Sequence, residues 1–190
     1  AVFGPANLRL LSDRQLAAHL RKIAKAIDLP EAVTIGMAGA RTTADKKRLQ
    51  KAAVKVWPNA SHIHATNDLE TALAADTQRK PLNRVLVISG TGSCCFGQAP
   101  DGTIAKLGGW GHILGDKGSG YEIGLRALKA CVFYLDRDGT WSALGQRILR
   151  RLQLNSPDQL IDWVAGAAKP EIADLAREVF AAHARRDKIA

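Results

Sequence analysis

Glycine and a few reactive side chains are crowded between residues 89 and 124. A tight turn with the sequence SGTGS occupies residues 89–93, and a second glycine cluster holds Trp110, His112, Asp116 and Lys117. So much glycine indicates a backbone that approaches a partner closely, adopts positive φ, or does both. Backbone N–H groups that converge in such a turn form a cavity suited to an anion such as phosphate. The stretch therefore predicts an anion-binding site.

Strand patterns surround the SGTGS turn. The apolar run Val85-Leu86-Val87-Ile88 has the length and β-branched content of a buried strand and leads directly into the turn. Pro100-Asp101-Gly102 is a strong turn signal between two further strand patterns. These further strands are predicted at residues 94–98 and 103–107.

The N-terminal part alternates between helix and strand patterns, which predicts an α/β layer with parallel strands. In open sheets of this kind, ligands bind beyond the carboxyl ends of the strands. Gly39, Asp68 and the SGTGS turn all fall at such ends. The predicted elements are a helix from 12 to about 29 capped by Ser12 and Gln15, a buried strand at 33–39, a helix from Thr42 or Thr43 to about 57, a strand at 62–66, and a helix at 69–75 opened by Asn67-Asp68.

The polar stretch at residues 76–83, with the sequence DTQRKPLN, predicts a link between two domains. We expect residues 1–79 to belong to an N-terminal α/β domain and residues 80–190 to a C-terminal one. The second domain should continue as helices. They are predicted at 121–135 behind the Ser119 and Glu122 capping box, at 141–152, at 156–165 capped by Ser156, and at 171–185. The first of these helices should bury Ile123, Ala127, Ala130 and Val132.

Composition restricts the class of protein. The 190 residues are 46% apolar and 24% charged, which is ordinary for a globular protein. No stretch approaches the roughly 20 apolar residues of a bilayer span, and no targeting segment opens the chain. The three cysteines, Cys94, Cys95 and Cys131, form neither a disulfide framework nor a metal pattern. We therefore expect a protein of the reducing cytoplasm, with no membrane partner and no metal site of its own.

The net charge of +9 raises the question of nucleic-acid binding. The basic residues are spread over exposed helix faces rather than gathered in one patch, and aromatic residues are only 5% of the chain, so stacking platforms for bases are scarce. Solvated helix faces are the favoured interpretation. An anionic small substrate such as a nucleotide accounts for part of the remaining charge.

Four segments resemble the BadF/BadG/BcrA/BcrD ATPase family, and within it the N-acetylglucosamine kinases. The block GGWGHILGDKGSGYEIG at 108–124 is specific, whereas ISGTGS at 88–93 alone would be a weak signal. The segments TND at 66–68 and GPAN at 4–7 complete a collinear match. The resemblance implies the actin-like ATPase (ribonuclease H-like) fold, with two α/β domains and a cleft between them.

The same resemblance shows which family motifs this sequence lacks. Such kinases begin with a first phosphate loop of the type Asp-x-Gly-Gly-Thr, whose Asp helps to hold Mg²⁺, and no such motif is present. They also continue, beyond a helix like 171–185, to a strand and glycine turn that hold adenosine. The chain is therefore expected to be the interior of a longer kinase, with ATP and Mg²⁺ as its cofactors.

By resemblance, Asp68 is the candidate general base that accepts the proton of a sugar hydroxyl during phosphoryl transfer. The alternative is a plain helix N-cap, because Asp is favoured there. Gly90, Thr91, Gly92 and Ser93 resemble the second phosphate loop, with a ligand-free hairpin turn as the alternative.

The resemblance also assigns a set of sugar contacts. Asp116 could accept hydrogen bonds from two neighbouring hydroxyls, and Trp110 could pack its indole on the pyranose, although a tryptophan beside glycines is often only core. His112 and Glu122 are interpreted as structural, and Cys94 and Cys95 as small apolar strand residues. The turn Ala38–Arg41 has fewer hydroxyl groups than in some relatives, which leaves acetamido or free amine open at the sugar's 2-position. The assigned sugar contacts are Asn7, Asp68, Gly109, Trp110, Gly111 and Asp116.

The resulting hypothesis is an ATP-dependent kinase that phosphorylates the 6-hydroxyl of N-acetylglucosamine or a related amino sugar. A glucosamine kinase of the same family is the nearest alternative. An activator ATPase of the acyl-CoA reductase or dehydratase kind and a non-catalytic sugar-binding relative also remain. A nucleic-acid binder is the weakest option, and a homodimer is left open.

Overall fold

The computed structural model describes residues 1–4, 6–75 and 82–190. The chain divides into two compact units, Ala1–Leu86 and Val87–Ala190, so the division falls inside a strand that spans Arg84–Ser89. The predicted domain boundary between residues 79 and 80 and most of the predicted link lie outside the described residues, as does Pro5 of the GPAN segment.

The first unit is a two-stranded parallel sheet with helices, as its alternating pattern predicts. Strand β1 pairs with strand β2 in the register Ala32 to His62 through Gly36 to Thr66. Its elements are a 3-10 helix at Leu8–Leu10, α1 at Asp13–Ala24, β1 at Ala32–Gly36, α2 at Thr43–Val56, β2 at His62–Thr66 and α3 at Asp68–Ala74.

Capping boxes start the first two long helices where the sequence predicts them. The Ser12 hydroxyl accepts a hydrogen bond from the Gln15 N–H at the start of α1, and the Thr42 hydroxyl accepts one from the Asp45 N–H at the start of α2. Apolar faces of both helices then pack into one core. Its fully buried members include Leu8, Leu16, Leu20, Leu49 and Ala53.

Helix α1 ends at Ala24, earlier than the predicted end near Leu29. Ile27 keeps the apolar spacing of the helix, but Ile27 and Leu29 are 47% and 89% exposed and gain little from continued helix. Apolar spacing alone therefore predicts a longer helix than tertiary packing supports.

The second unit combines a three-stranded sheet with five helices. The sheet order is β3-β4-β5, and β4 pairs antiparallel with β5 from Cys94 opposite Gly108 to Gln98 opposite Ile104. The elements are β3 at Arg84–Ser89, β4 at Ser93–Gln98, β5 at Ile104–Gly108, α4 at Gly120–Asp138, α5 at Ala143–Leu152, α6 at Gln159–Gly166, α7 at Lys169–Asp174 and α8 at Ala176–His183.

Strand β3 is present as predicted, but its burial was predicted wrongly. Val85 and Val87 are 69% and 67% exposed, and Ile88 is also exposed. No described residue covers this side of the sheet, so an apolar run that is typical of a core strand here lies at the surface. Composition indicates the preference of a strand for burial, whereas burial itself depends on a covering layer.

The helices of the second unit enclose a separate core, with three differences from the predicted elements. Ser156 does not cap α6, which starts at Gln159 without a side-chain cap. The single helix predicted at 171–185 is two helices, α7 and α8, separated at Leu175, and Pro170 lies inside the first turn of α7. Val132, predicted to be buried on α4, is exposed, whereas Ala127, Leu128 and Cys131 are buried.

Candidate functional site

The SGTGS turn keeps two of its backbone N–H groups free. The Gly90 N–H donates to the Gly92 carbonyl at 3.0 Å, and the Ser93 N–H donates to Oδ1 of Asp116 at 3.3 Å. The N–H groups of Thr91 and Gly92 donate to no described residue. Two adjacent free donors in an exposed glycine turn are suited to the oxygens of a phosphate.

The turn is tied to the second glycine cluster by further hydrogen bonds. The Ser93 hydroxyl donates to the Lys117 carbonyl at 2.7 Å, and the Gly120 N–H donates to the Gly90 carbonyl at 2.8 Å. The two glycine-rich stretches that the sequence separates therefore form one site within the second unit.

Asp116 lies at the centre of this site. Its backbone is left-handed, with φ of 58°, and its side chain is only 6% exposed. Oδ2 accepts a hydrogen bond from Nζ of Lys169 at 2.7 Å, while Oδ1 accepts the Ser93 N–H. A buried carboxylate requires such partners, because an unpaired charge out of water is costly.

The loop at 108–111 has the backbone freedom that its glycines provide. Gly108, Gly109 and Gly111 all have positive φ, between 69° and 84°. Trp110 is 70% exposed, so it is not part of a core. The ring of His112 meets Tyr121 edge-on, with centroids 4.9 Å apart, which agrees with a structural role for His112.

The start of α4 is fixed by Ser119 and Glu122, in a pattern slightly different from a full capping box. The Ser119 hydroxyl accepts the Glu122 N–H at 3.2 Å, but the Glu122 carboxylate accepts the N–H of Gly118 rather than that of Ser119. This backbone hydrogen bond lowers the pKa of Glu122, against a smaller opposing effect of burial and with help from the charge of Arg126.

Two cavities of the second unit border the SGTGS turn. One, of about 490 Å³, lies against Asp116, Trp110 and the apolar side chains Val87, Leu107 and Leu114. The other, of about 360 Å³, lies between Gly90 and Thr91 on one side and α7 and α8 on the other. Arg177 and Phe180 line the second cavity, and Nε of Arg177 is 3.1 Å from Oδ1 of Asp174. Both volumes fall in the range of small-molecule sites.

In the first unit, Asp68 is the first residue of α3 and not its N-cap. Asn67 is the N-cap, and its Oδ1 accepts the Glu70 N–H at 2.7 Å. Asp68 is exposed at the carboxyl end of β2, and its carboxylate forms no hydrogen bond or ion pair with any residue that the structure describes. The capping alternative for Asp68 is therefore wrong, and its carboxylate is available to a ligand.

Glu70, beside Asp68, is held by three donors. Lys46 Nζ donates to it at 2.7 Å, Asn67 Nδ2 at 2.8 Å, and the Thr66 hydroxyl also donates to it. Burial alone would raise the pKa of Glu70, but these hydrogen bonds and the charge of Lys46 together hold the pKa below its ordinary value. Glu70 is thus an ionised anchor of α3.

Asn7 lies beside the carboxyl end of β1. It forms a parallel bridge with Ala38, and its Oδ1 accepts the Arg9 N–H at 3.0 Å as the cap of the 3-10 helix. A Cβ on Gly39 would lie 2.3 Å from this Oδ1, so only glycine fits there. Asn7 and Asp68 therefore lie at the same edge of the parallel sheet, beyond its carboxyl ends.

The free N–H groups of the turn suit a phosphate, whereas the described side chains do not suit a metal ion. Among the described residues, no group of three His, Cys, Asp or Glu side chains could hold a metal. The carboxylate nearest to the turn, Asp116, is already paired with Lys169. Mg²⁺ therefore does not fit the described residues. None of the helices in the described ranges is long and apolar enough to cross a bilayer.

The model of the BadF/BadG/BcrA/BcrD ATPase family matches residues 12–190. The chain belongs to this family. It is 35% identical to an N-acetylmuramic acid/N-acetylglucosamine kinase of Clostridium acetobutylicum, over 98% of this chain and 63% of that protein. It is 34% identical to an N-acetyl-D-glucosamine kinase of Dictyostelium discoideum, over 69% of this chain and 41% of that protein.

Two solved structures share the fold of this chain. A protein of Chromobacterium violaceum assigned as an N-acetylglucosamine kinase matches with a TM-score of 0.74 at 23% identity, over 97% of this chain and 65% of that one. A counterpart from Porphyromonas gingivalis matches with a TM-score of 0.66 over 97% and 64%. The mixed α/β fold is therefore confirmed. The chain spans less than two thirds of the length of each of these relatives.

Two residues of this BadF/BadG/BcrA/BcrD family member were missed by the sequence reasoning. Lys169 is far from Asp116 in sequence and lies just before the helix predicted at 171–185. Glu70 has a detectable signal, because it stands three residues after Asn67 in capping-box spacing. Lys169 has none that one sequence reveals.

Proposed function

We propose that the protein carrying this sequence is an ATP-dependent kinase that transfers phosphate to the 6-hydroxyl of N-acetylglucosamine or a related amino sugar. The observation that carries the proposal is the pair of free N–H groups at Thr91 and Gly92 next to the buried carboxylate of Asp116. The names of the two curated relatives supply the class of acceptor. A cytoplasmic protein follows as part of this proposal.

The nucleotide would lie at the cavity between the SGTGS turn and helices α7 and α8. Thr91 and Gly92 would donate their N–H groups to phosphate oxygens, with the exposed Thr91 hydroxyl as a third donor. Gly90 and Ser93 would instead shape the turn, because their N–H groups are already used. ATP supplies the phosphoryl group, and by resemblance the main Mg²⁺ ligand would be the Asp of the first phosphate loop, a motif that this sequence lacks.

The sugar would contact the loop at 109–116, and the resemblance also assigns a sugar contact to Asn7. Each oxygen of the Asp116 carboxylate has a second lone pair, so it can accept a sugar hydroxyl while keeping its protein partner. The exposed indole of Trp110 offers an apolar face for the pyranose ring. The positive φ of Gly109 and Gly111 lets the backbone approach the sugar closely.

Asp68 would serve as the general base. As the 6-hydroxyl oxygen forms its bond to the γ-phosphorus, its proton passes to the Asp68 carboxylate and ADP leaves. The exposed position of Asp68 and its lack of any described partner leave both carboxylate oxygens free for this step. Exclusion of water from the bound substrates would suppress hydrolysis of ATP.

Replacement of Asp68 by Asn tests the assignment. In the full-length protein, Asp68→Asn should lower kcat for sugar phosphorylation by about 10²-fold or more, because an amide cannot accept the proton. Sugar affinity, measured by calorimetry, should change little. Asp28→Asn, an exposed carboxylate far along the chain, is the matched control. Undiminished turnover in Asp68→Asn would refute the role.

The other functions make different predictions in simple assays. Competition between N-acetylglucosamine and glucosamine separates the two kinase specificities. An activator ATPase carries an iron–sulfur cluster, so a colourless purified protein would exclude it. The arrangement of Cys94 and Cys95 on strand β4, opposite Gly108 and Leu107, favours the kinase. A non-catalytic relative would bind the sugar without consuming ATP.

A further inference from the structure

We propose that Lys169 is a positioning residue of the phosphate site: it neutralises Asp116 beside the SGTGS turn, so that nucleotide phosphates can bind there. The proposal rests on the proposed function, because it assumes that the turn binds the phosphates of a nucleotide. Lys169 is not expected to touch the reacting atoms itself.

The Asp116 carboxylate lies against the SGTGS turn. A Cβ on Gly92 would lie 2.9 Å from Oδ2 of Asp116, and Oδ1 accepts the N–H of Ser93. The carboxylate therefore lies against the same residues whose free N–H groups are proposed to bind phosphate. A phosphate bound to these N–H groups would be repelled by the Asp116 carboxylate if its charge were not compensated.

The Asp116 carboxylate is also buried. Its side chain is 6% exposed, so solvent screens its charge poorly. The ammonium group of Lys169 is the partner cation, 2.7 Å from Oδ2, and it is held near the Tyr121 ring at 5.8 Å from the centroid. Loss of Lys169 would leave a buried negative charge next to the phosphate site.

The ion pair between Lys169 and Asp116 connects two distant segments of the chain. Lys169 begins α7, whose residues also line the cavity on the other side of the turn, whereas Asp116 belongs to the second glycine cluster. The ion pair therefore joins the start of α7 to the second glycine cluster, beside the proposed nucleotide site. If Lys169 compensates the charge of Asp116, replacing the two residues should have non-additive effects on nucleotide affinity.

The experiment is a double-mutant cycle on ADP binding in the full-length protein, measured by isothermal titration calorimetry. Lys169→Met should weaken ADP binding by about tenfold or more, because the carboxylate becomes uncompensated. Asp116→Asn should bind ADP at least as tightly as the wild type, because Lys169 is then free to attract phosphate. The double variant Asp116→Asn/Lys169→Met should recover most of the affinity that Lys169→Met loses.

Two controls separate charge from packing. Lys169→Arg keeps the charge and should recover part of the affinity, whereas Lys129→Met removes an exposed lysine of α4 and should bind ADP like the wild type. Melting temperatures of all variants report folding separately. A merely structural role for Lys169 would make the double variant bind ADP as weakly as Lys169→Met or more weakly.

The outcomes distinguish this inference from the proposed function. Wild-type affinity for ADP in Lys169→Met, with normal phosphorylation of the amino sugar by the wild type, overturns the inference alone. A wild type that binds ADP but phosphorylates no amino sugar overturns the proposed function alone, and the cycle on ADP still decides the role of Lys169. A wild type that does not bind ADP overturns both.

Discussion

The two glycines that flank Thr91 differ in what surrounds them. A Cβ on Gly92 would lie 2.9 Å from Oδ2 of Asp116 and 3.2 Å from its carboxyl carbon. A Cβ on Gly90 would meet no atom within 4 Å. The sequence of the turn is symmetric about Thr91, but the packing of the Asp116 carboxylate requires glycine only at position 92.

We expect Gly92→Ala to destabilise the protein by about 1–3 kcal/mol, because the new methyl group must displace a buried, ion-paired side chain. Thermal unfolding followed by circular dichroism measures the change. Gly90→Ala is the matched control and should melt close to the wild type. Equal melting temperatures for the two variants would show that the carboxylate can move aside without cost.

Single side chains also show the limit of sequence reasoning at this scale. Asn67 and Asp68 are both favoured N-caps, and nothing in their order decides which residue caps α3. The structure assigns the cap to Asn67, which leaves the neighbouring carboxylate free. The Ser12 cap was predicted because Gln15 follows it three residues later, whereas the second cap was left open between Thr42 and Thr43 and the structure assigns it to Thr42.

At the scale of elements, helix α3 depends on the ionised state of Glu70. Lys46 of α2, Thr66 of β2 and Asn67 all donate to its carboxylate. The three donors therefore join a helix, a strand and a cap through one side chain. Protonation of this carboxylate would remove the ion pair with Lys46 and weaken all three connections.

We expect Glu70→Gln to lower the free energy of unfolding at pH 7 by about 1–2 kcal/mol, through loss of hydrogen bonds to a charged acceptor. The pKa of Glu70 is lowered in the folded state, so its ionised form stabilises the protein above the unfolded value of 4.5. This contribution is lost as the pH falls through the folded pKa.

Urea unfolding between pH 7 and pH 3 measures the Glu70 prediction. The difference between Glu70→Gln and the wild type should shrink as the solution becomes acidic. Asp28→Asn, which changes an exposed carboxylate without a described partner, should show no such trend. A difference that stays constant down to pH 3 would argue against an ionised anchor.

Elements with strong local signals were predictable, and elements that depend on distant partners were not. Strand β2 was predicted with its observed bounds, and β4 and β5 lie within a residue of theirs, because turn residues delimit them. No Pro or Gly stands at Leu175, where α7 and α8 are separated, so the sequence gives no signal for this break. There, α4 packs so closely on α7 that a Cβ on Gly124 would overlap the Ile172 carbonyl, which local propensity cannot reveal.

At the scale of the whole chain, an apolar surface remains on the three-stranded sheet. Val85, Val87 and Leu107 are between 67% and 77% exposed. Side chains of β3 and β5 also line the larger cavity, together with Leu114 and Trp110. Contiguous exposed apolar surface of this kind usually marks a binding region or a covered face.

We expect the 190-residue chain to bind a hydrophobic fluorescent dye at this sheet. Val87→Thr and Leu107→Thr should each reduce dye fluorescence by roughly half, with little change in melting temperature because both side chains are exposed. Val54→Thr, an exposed apolar residue on α2, is the control. Unchanged fluorescence in both sheet variants would place the dye elsewhere.

The sequence alone indicated a two-part α/β protein and both glycine-rich stretches, because composition and turn residues are local properties. It did not indicate which faces are covered, since that depends on segments far apart along the chain. The Asp116 and Lys169 pair illustrates the difference. Each residue is ordinary in its own segment, and only folding brings them within 2.7 Å.

The connections of the SGTGS turn carry a consequence for the order of folding. Asp116 lies 23 residues beyond Ser93, and Lys169 lies 53 residues beyond Asp116. Contacts that close loops of this length lose more chain entropy and tend to form late. The proposed anion site at the turn would then form last, after the surrounding helices have docked. A nascent or partly unfolded chain would therefore not bind an anion there.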